Sequence, residues 1–225
     1  MKGSASSLAL QERKARILRF PLSGLYAITG ERHAGPADLA LAVRAAIRGG
    51  ARVIQYRAKT DRERIAEARL LLEECHAAEV PLIINDDAGL AQAVGADGVH
   101  LGRDDCALDE ARRCLGPAAI IGVSCYDSVE RALEAVELGA DYVAFGRFFP
   151  SKTKPMASCA RLQTLTNAKS RLHIPIVAIG GITPQNGGSL IAAGADVLAV
   201  IDGIFGQSDP EAAARGFQML FSGRR

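Results

Sequence analysis

In the run QYRAK, residues 55–59, an amide and two cations alternate with Tyr56 and Ala58. On an extended strand Gln55, Arg57 and Lys59 therefore share one face. Turned into a protein interior, that face is costly unless an anionic ligand or an internal carboxylate answers it. Carboxylates occur in two later clusters, Asn85-Asp86-Asp87 and His100 to Asp105. Asp86 and Asp105, brought together from adjacent strand ends, would suit Mg2+, which keeps several waters and shares its other positions with phosphate oxygens. Asp87 and Asp104 are the substitutes, and the competing reading of those two is a helix N-cap. His100 reads as a hydrogen-bonded packing residue and stays outside the catalytic set, while Ser124 could donate to a ligand. The run FGRFFPSKTKP, residues 145–155, passes from an apolar strand end to Ser151, Lys152, Thr153 and Lys154, hydroxyls and cations fit for a second anion. Two later runs, the Gly180-Gly181 pair and VIDGIFG, are fit to present backbone N–H groups to a phosphate, with Gly181 allowing close approach.

These residues need elements that gather them. GGARVIQYR, GADGVHLG, GADYVAFG and GADVLAVI, starting at residues 49, 95, 139 and 194, each set a glycine ahead of a short apolar run. The glycine suits a helix C-terminus and the run a buried parallel strand. GLYAITG, VPLIINDD, AAIIGVSC and IPIVAIGG supply four runs between them, and helix-like segments separate all eight. Eight such alternations predict a single-domain α/β protein, a (β/α)8 TIM barrel, rather than a doubly wound open sheet. Residues 1–22 read as an N-terminal arm or helix and residues 23–225 as the barrel. Every candidate above then lies at the carboxyl end of a strand, where such barrels do their chemistry.

Bulk composition adds mainly exclusions. With 27 basic and 25 acidic residues the net charge is +2, so nothing points to nucleic acid. The N-terminus reads as neither signal peptide nor anchor, and no apolar run reaches the roughly 18 residues of a membrane span. Five scattered cysteines without a CxxC pair argue against a disulfide framework or structural zinc. A cytoplasmic protein with free thiols, acting on small molecules away from membranes, is the expectation; a homo-oligomer is compatible with it.

LYAIT, QYRAK, IINDD, DGVHLG, IIGVS, YVAFGRFFPSKTK, AIGGI and AVIDGIF, in that order from residue 25 to 205, resemble the thiamine-phosphate synthase family. The resemblance implies transfer of the hydroxymethylpyrimidine group of a pyrimidine diphosphate to the nitrogen of thiazole phosphate. It implies C–O ionisation to a carbocation, with diphosphate leaving. Gln55, Tyr56, Arg57, Ala58, Lys59, Asn85, Ser124 and Lys154 would contact the pyrimidine diphosphate. Ser151, Lys152, Thr153, Gly181, Ile201 and Asp202 would hold the thiazole phosphate, with the Lys152 side chain itself solvated. Asp86 and Asp105 would carry one Mg2+ per subunit. Arg57, Lys59, Lys154 and Ser124 become the catalytic set, acting on the leaving group, and the loop after strand six becomes a lid. Arg103, Ser151 and Asp202 stand where the family commonly has Gln, Thr and Ser. A thiazole tautomerase on the same barrel, or a non-catalytic thiazole or thiamine phosphate sensor, would not need the diphosphate and metal residues. Lys154→Ala is expected to slow turnover about a hundredfold while changing thiazole phosphate affinity much less, as steady-state kinetics and calorimetric binding would measure.

Overall fold

The computed structural model describes residues 20–30, 33–58, 63–150 and 159–222. Eight parallel strands form a closed barrel in sequence order, so the expected (β/α)8 architecture is the one observed. They are β1 (Gly24–Ile28), β2 (Ala51–Tyr56), β3 (Leu82–Asn85), β4 (Gly98–Leu101), β5 (Ile120–Tyr126), β6 (Tyr142–Gly146), β7 (Ile176–Ile179) and β8 (Val197–Val200). Helices α1 (Pro36–Arg48), α2 (Arg64–Ala77), α3 (Ala88–Val94), α4 (Leu108–Leu115), α5 (Val129–Glu137), α6 (Leu162–Arg171) and α7 (Gly187–Ala192) connect them. A short α8 (Asp202–Phe205) and α9 (Pro210–Gln218) follow β8. No helix of the described residues is long and apolar enough to cross a membrane.

Alternation along each strand divides the apolar residues between two cores. Leu25, Ala27, Ile54, Leu82, Ile84, Val143 and Phe145 face outward and pack under the helices. Tyr26, Ile28, Val53, Ile83, Ile120, Tyr142 and Val177 fill the barrel. The helices supply matching stripes: in α5, Val129, Ala132 and Ala135 are buried, and the Ser128 hydroxyl caps the helix by accepting from the Arg131 N–H at 3.1 Å. Gly122 faces the Tyr142 ring so closely that a Cβ there would lie 1.9 Å from its Cζ, so only glycine admits the tyrosine. Phe20, inside the segment expected to be an arm, is fully buried and stacks on Tyr142 at 4.1 Å, plugging the barrel just ahead of β1. Residues 1–19 of that arm lie outside the described residues.

The repeated Gly-Ala-Asp has a structural role. Each aspartate stands just before an even-numbered strand and accepts from an N–H at the start of the preceding strand. Asp97 accepts from Leu82 at 3.0 Å, Asp141 from Ile121 at 2.9 Å and Asp196 from Ile176 at 3.0 Å. Each also meets a cation or imidazole: His76 at 3.1 Å, Arg112 at 2.8 Å and Lys169 at 2.6 Å. The repeat therefore marks strand pairs clipped together at the end away from the candidate site. Asp141 is fully buried, so its removal leaves the Ile121 N–H without this acceptor and takes from Arg112 its carboxylate, leaving the guanidinium its carbonyl contacts to Ala119 and Gly139. Asp141→Ala should destabilise the fold by about 3 kcal/mol in urea titration, with kcat of the remaining folded protein little changed.

Candidate active site

A cavity of about 470 Å3 opens at the carboxyl ends of the strands. On one side it is lined by Gln55 and Arg57 from β2, Asn85 and Asp86 from β3, His100 from β4 and Ser124 from β5. On the other side lie Arg147, Gly180, Gly181, Ile201 and Asp202, from the ends of β6, β7 and β8.

Strand alternation sorts QYRAK as expected. Gln55 and Arg57 line the cavity, whereas Tyr56 turns outward and donates to Glu67 Oε2 on α2 at 2.5 Å. Burial, and then that carboxylate, push the Tyr56 phenol well above its ordinary pKa. Ala58 packs against the outer core. The side chains of Tyr56 and Ala58 thus face away from the cavity, because residues of opposite parity cannot share a strand face. Lys59 lies outside the described residues. Thr29, which the sequence reading passed over, fixes the Arg57 backbone: its fully buried hydroxyl accepts from Arg57 N–H at 2.9 Å and sits 3.3 Å from Arg57 C=O. The signal was a buried threonine at the end of LYAIT, whose partner is on the neighbouring strand.

The acidic clusters separate by backbone geometry. Asp87 caps α3, accepting from Leu90 N–H at 2.8 Å, and its other oxygen accepts from Arg64 at 2.8 Å. Asp104 is exposed, and the N-cap position of α4 is held by Ala107. Asp86 adopts φ 67°, a left-handed conformation rare for a residue with a side chain, and its carboxylate lines the cavity. Asn85 Nδ2 donates to Asp86 Oδ2 at 2.6 Å, and Asp86 N–H donates to His100 C=O at 2.8 Å, tying the turn to β4. Asp105 folds back on its own loop, accepting from Gly102 N–H at 2.5 Å. Among the described residues no group of three or more His, Cys, Asp or Glu gathers as a metal cluster. Asp86 lines the cavity and Asp105 is not among its lining residues, so the two carboxylates of the expected Mg2+ pair are held differently: Asp86 faces the open space and Asp105 its own loop.

Gly180 and Gly181 both have positive φ, 105° and 63°. The sequence reading took Gly181 to be required by close approach to a phosphate. In the structure the crowding comes from the protein: a Cβ on Gly181 would lie 2.3 Å from Pro150 C=O and 2.9 Å from the Phe149 side chain. Phe148 N–H and Phe149 N–H donate to Ile179 and Gly180 carbonyls at 3.2 and 3.0 Å, laying the chain after β6 along the end of β7. Asn186 Nδ2 donates to Gly181 C=O at 3.0 Å and braces the same turn. Ile201 caps α8, and Asp202 opens it. Arg147, a cation of the opening half of that loop, lines the cavity and was not among the expected site residues. Ser151, Lys152, Thr153 and Lys154 lie outside the described residues.

His100, expected to be a hydrogen-bonded packing residue, is hydrogen-bonded and also lines the cavity: Nδ1 is 3.0 Å from Tyr142 Oη and Nε2 is 2.9 Å from Ser124 Oγ. Tyr142 Oη is 2.9 Å from Tyr26 Oη, which accepts from Gln55 Nε2 at 2.8 Å. Cys125, beside Ser124, faces the outer core with its thiol pushed up to about 12 by burial. It is a packing residue.

Residues 25–204 match the family model described as thiamine monophosphate synthase. The chain belongs to the thiamine monophosphate synthase family. A thiamine-phosphate synthase of Methylococcus capsulatus is 52% identical over 215 residues, covering 95% of this chain and 96% of the relative. Another, of Marinobacter nauticus, is 53% identical over 203 residues, covering 88% and 91%. The solved thiamine phosphate pyrophosphorylase of Pyrococcus furiosus superposes with a TM-score of 0.80 at 35% identity, covering 90% of this chain and 96% of that one. The family expected from the ordered motifs is therefore the family found, and the transferase named for it is the activity of these curated relatives. Within a thiamine monophosphate synthase site, Thr29 acts only by holding Arg57. Thr29→Val keeps the shape but strands the Arg57 N–H; it should lower kcat/KM roughly tenfold and stability by about 1 to 2 kcal/mol, as kinetics and urea titration would measure.

Proposed function

We propose that this chain is a thiamine-phosphate synthase that joins the hydroxymethylpyrimidine group of its diphosphate donor to the nitrogen of thiazole phosphate. Diphosphate leaves before the new C–N bond forms. The observation that supports this reading is one cavity lined from both halves of the barrel by groups able to receive an anion. Arg57, Asn85, Ser124 and the Asp86 carboxylate stand on one side, and the Gly180-Gly181 turn with the start of α8 stands on the other.

The donor side is built for a leaving group. Arg57 brings a permanent cation to a cavity whose lining also includes apolar residues such as Ile28 and Val177, and low polarity strengthens its attraction for a departing charge. Ser124 can add a hydroxyl donor, and Lys59 and Lys154 complete the proposed cationic set. Asp86 and Asp105 would hold Mg2+, which when bound supplies positive charge to the diphosphate oxygens. Gln55, Tyr56, Ala58 and Asn85 complete the proposed donor contacts, those of Tyr56 and Ala58 through their backbone.

On the acceptor side the proposed phosphate contacts are Ser151 to Thr153, Gly181, Ile201 and Asp202. The Asp202 carboxylate would repel a phosphate, so its contribution is the backbone N–H at the start of α8. Arg147, on the same side, offers the cation that balances it. A carbocation exposed to water would be hydrolysed, and the segment after β6, laid over the β7 turn, is placed to shut the cavity. Assembly as a homo-oligomer, action without nucleic acid and a cytoplasmic setting are part of this proposal.

The test is to mix purified protein with the pyrimidine diphosphate, thiazole phosphate and Mg2+ and to assay thiamine phosphate by chromatography. Product that disappears with chelator and falls about a hundredfold in kcat for Arg57→Ala is the expected result. Absence of product, with turnover of a thiazole carboxylate phosphate instead, would replace the synthase by a tautomerase.

A further inference from the structure

Gln55, Tyr26, Tyr142, His100 and Ser124 form one hydrogen-bonded chain across the barrel, with successive contacts of 2.8, 2.9, 3.0 and 2.9 Å. Only its last member reaches a part of the cavity open enough to meet a ligand through a hydroxyl. Gln55, Tyr26, Tyr142 and His100 are exposed by 3%, 1%, 0% and 9%, so water cannot rescue a misdirected proton. Each hydroxyl has one proton to place, and each neutral imidazole has one donor and one acceptor nitrogen. The direction of one bond consequently sets all the others.

Gln55 presents its amide nitrogen to Tyr26, and an amide nitrogen can only donate. Tyr26 must then send its proton to Tyr142. Tyr142, already accepting, must donate to His100 Nδ1, which leaves the imidazole proton on Nε2, facing Ser124. Burial pushes both phenols well above their ordinary pKa, so they remain neutral donors. We infer that this chain is polarised from Gln55 to Ser124, and that Tyr26, Tyr142 and His100 are positioning residues that hold Ser124 with its proton directed into the cavity. Ser124 is then a hydrogen-bond donor for an anionic oxygen. With the opposite polarity Ser124 would give its proton to His100 Nε2, and the pair would resemble a nucleophile with its base. A departing diphosphate needs a donor, so the inference rests on the function proposed above and refines it. It assigns roles to Tyr26, which borders the cavity with its hydroxyl turned to Tyr142, and to Tyr142 itself, which lies beneath it; both are linked to Ser124 through His100.

Long-range proton–nitrogen NMR of the wild-type protein, with its histidines labelled with nitrogen-15, reads the His100 tautomer without any substrate. A proton on Nε2 and none on Nδ1 is the expected spectrum. A proton on Nδ1, whether alone or with one on Nε2, overturns the polarity. Tyr142→Phe keeps the ring that stacks on Phe20 and His100 but removes the hydroxyl. It should abolish the tautomer preference and lower kcat roughly tenfold, with KM for the pyrimidine diphosphate changed much less. In a Ser124→Ala background the same substitution should cost little more, because its effect passes through Ser124; full additivity would mean that Tyr142 acts on the fold alone. Should wild-type protein make thiamine phosphate yet carry the proton on Nδ1, this inference fails and the proposed function stands. An Nε2 proton without thiamine phosphate formation would do the reverse.

Discussion

A polar group inside a closed barrel has no water to turn to. Closing eight strands on themselves removes the sheet edges, but it also commits every second residue to an interior where an unpaired donor or charge costs a large part of the fold's stability. The interior of this protein meets that constraint in two ways. Deeper down, polar groups answer one another, as in the run from Gln55 through the two tyrosines to His100. At the carboxyl ends Arg57, Asp86 and Ser124 line a cavity, where polar groups face open space instead of a packed interior. Binding chemistry and fold stability are thus two outcomes of the same desolvation cost.

The same constraint explains how the loops are built. Glycine at 180 and 181 lets the chain after β6 lie directly on the β7 turn, so the segment carrying the proposed lid is anchored by backbone hydrogen bonds at its root. Thr29 and Asn85 do comparable work for Arg57 and Asp86, each a small side chain that holds a neighbouring residue of the cavity. At the opposite end, the three clipping aspartates close the strand pairs without intruding on the cavity. Stability and chemistry are in this way assigned to opposite ends of one barrel.

Much of the site was legible because a strand has period two. Parity alone put Gln55 and Arg57 on one strand face and Tyr56 on the other, and the structure turns the first face inward. Parity could not separate Asp86 from Asp87, since both follow the end of β3 and either carboxylate suits a cation. The separation came from a left-handed backbone at Asp86 and from a cap and an arginine at Asp87, both of which depend on where α3 and Arg64 sit. His100 was half legible: a packing histidine by type, it gained its second role from a serine on the next strand.

The sequence by itself determined the barrel, its eight repeating units, the end at which chemistry occurs and the family, because each follows from local periodicity or from ordered short motifs. Only the tertiary structure decided that the Gly-Ala-Asp aspartates clip strand pairs, that Gly181 makes room for the β6 loop, and that Phe20 plugs the barrel. It alone joined Tyr26 to Tyr142, 116 residues away. The physical reason is range: periodicity says which face a side chain takes, whereas closure of the barrel determines which distant face it meets, and a buried hydrogen bond exists only once both are in place.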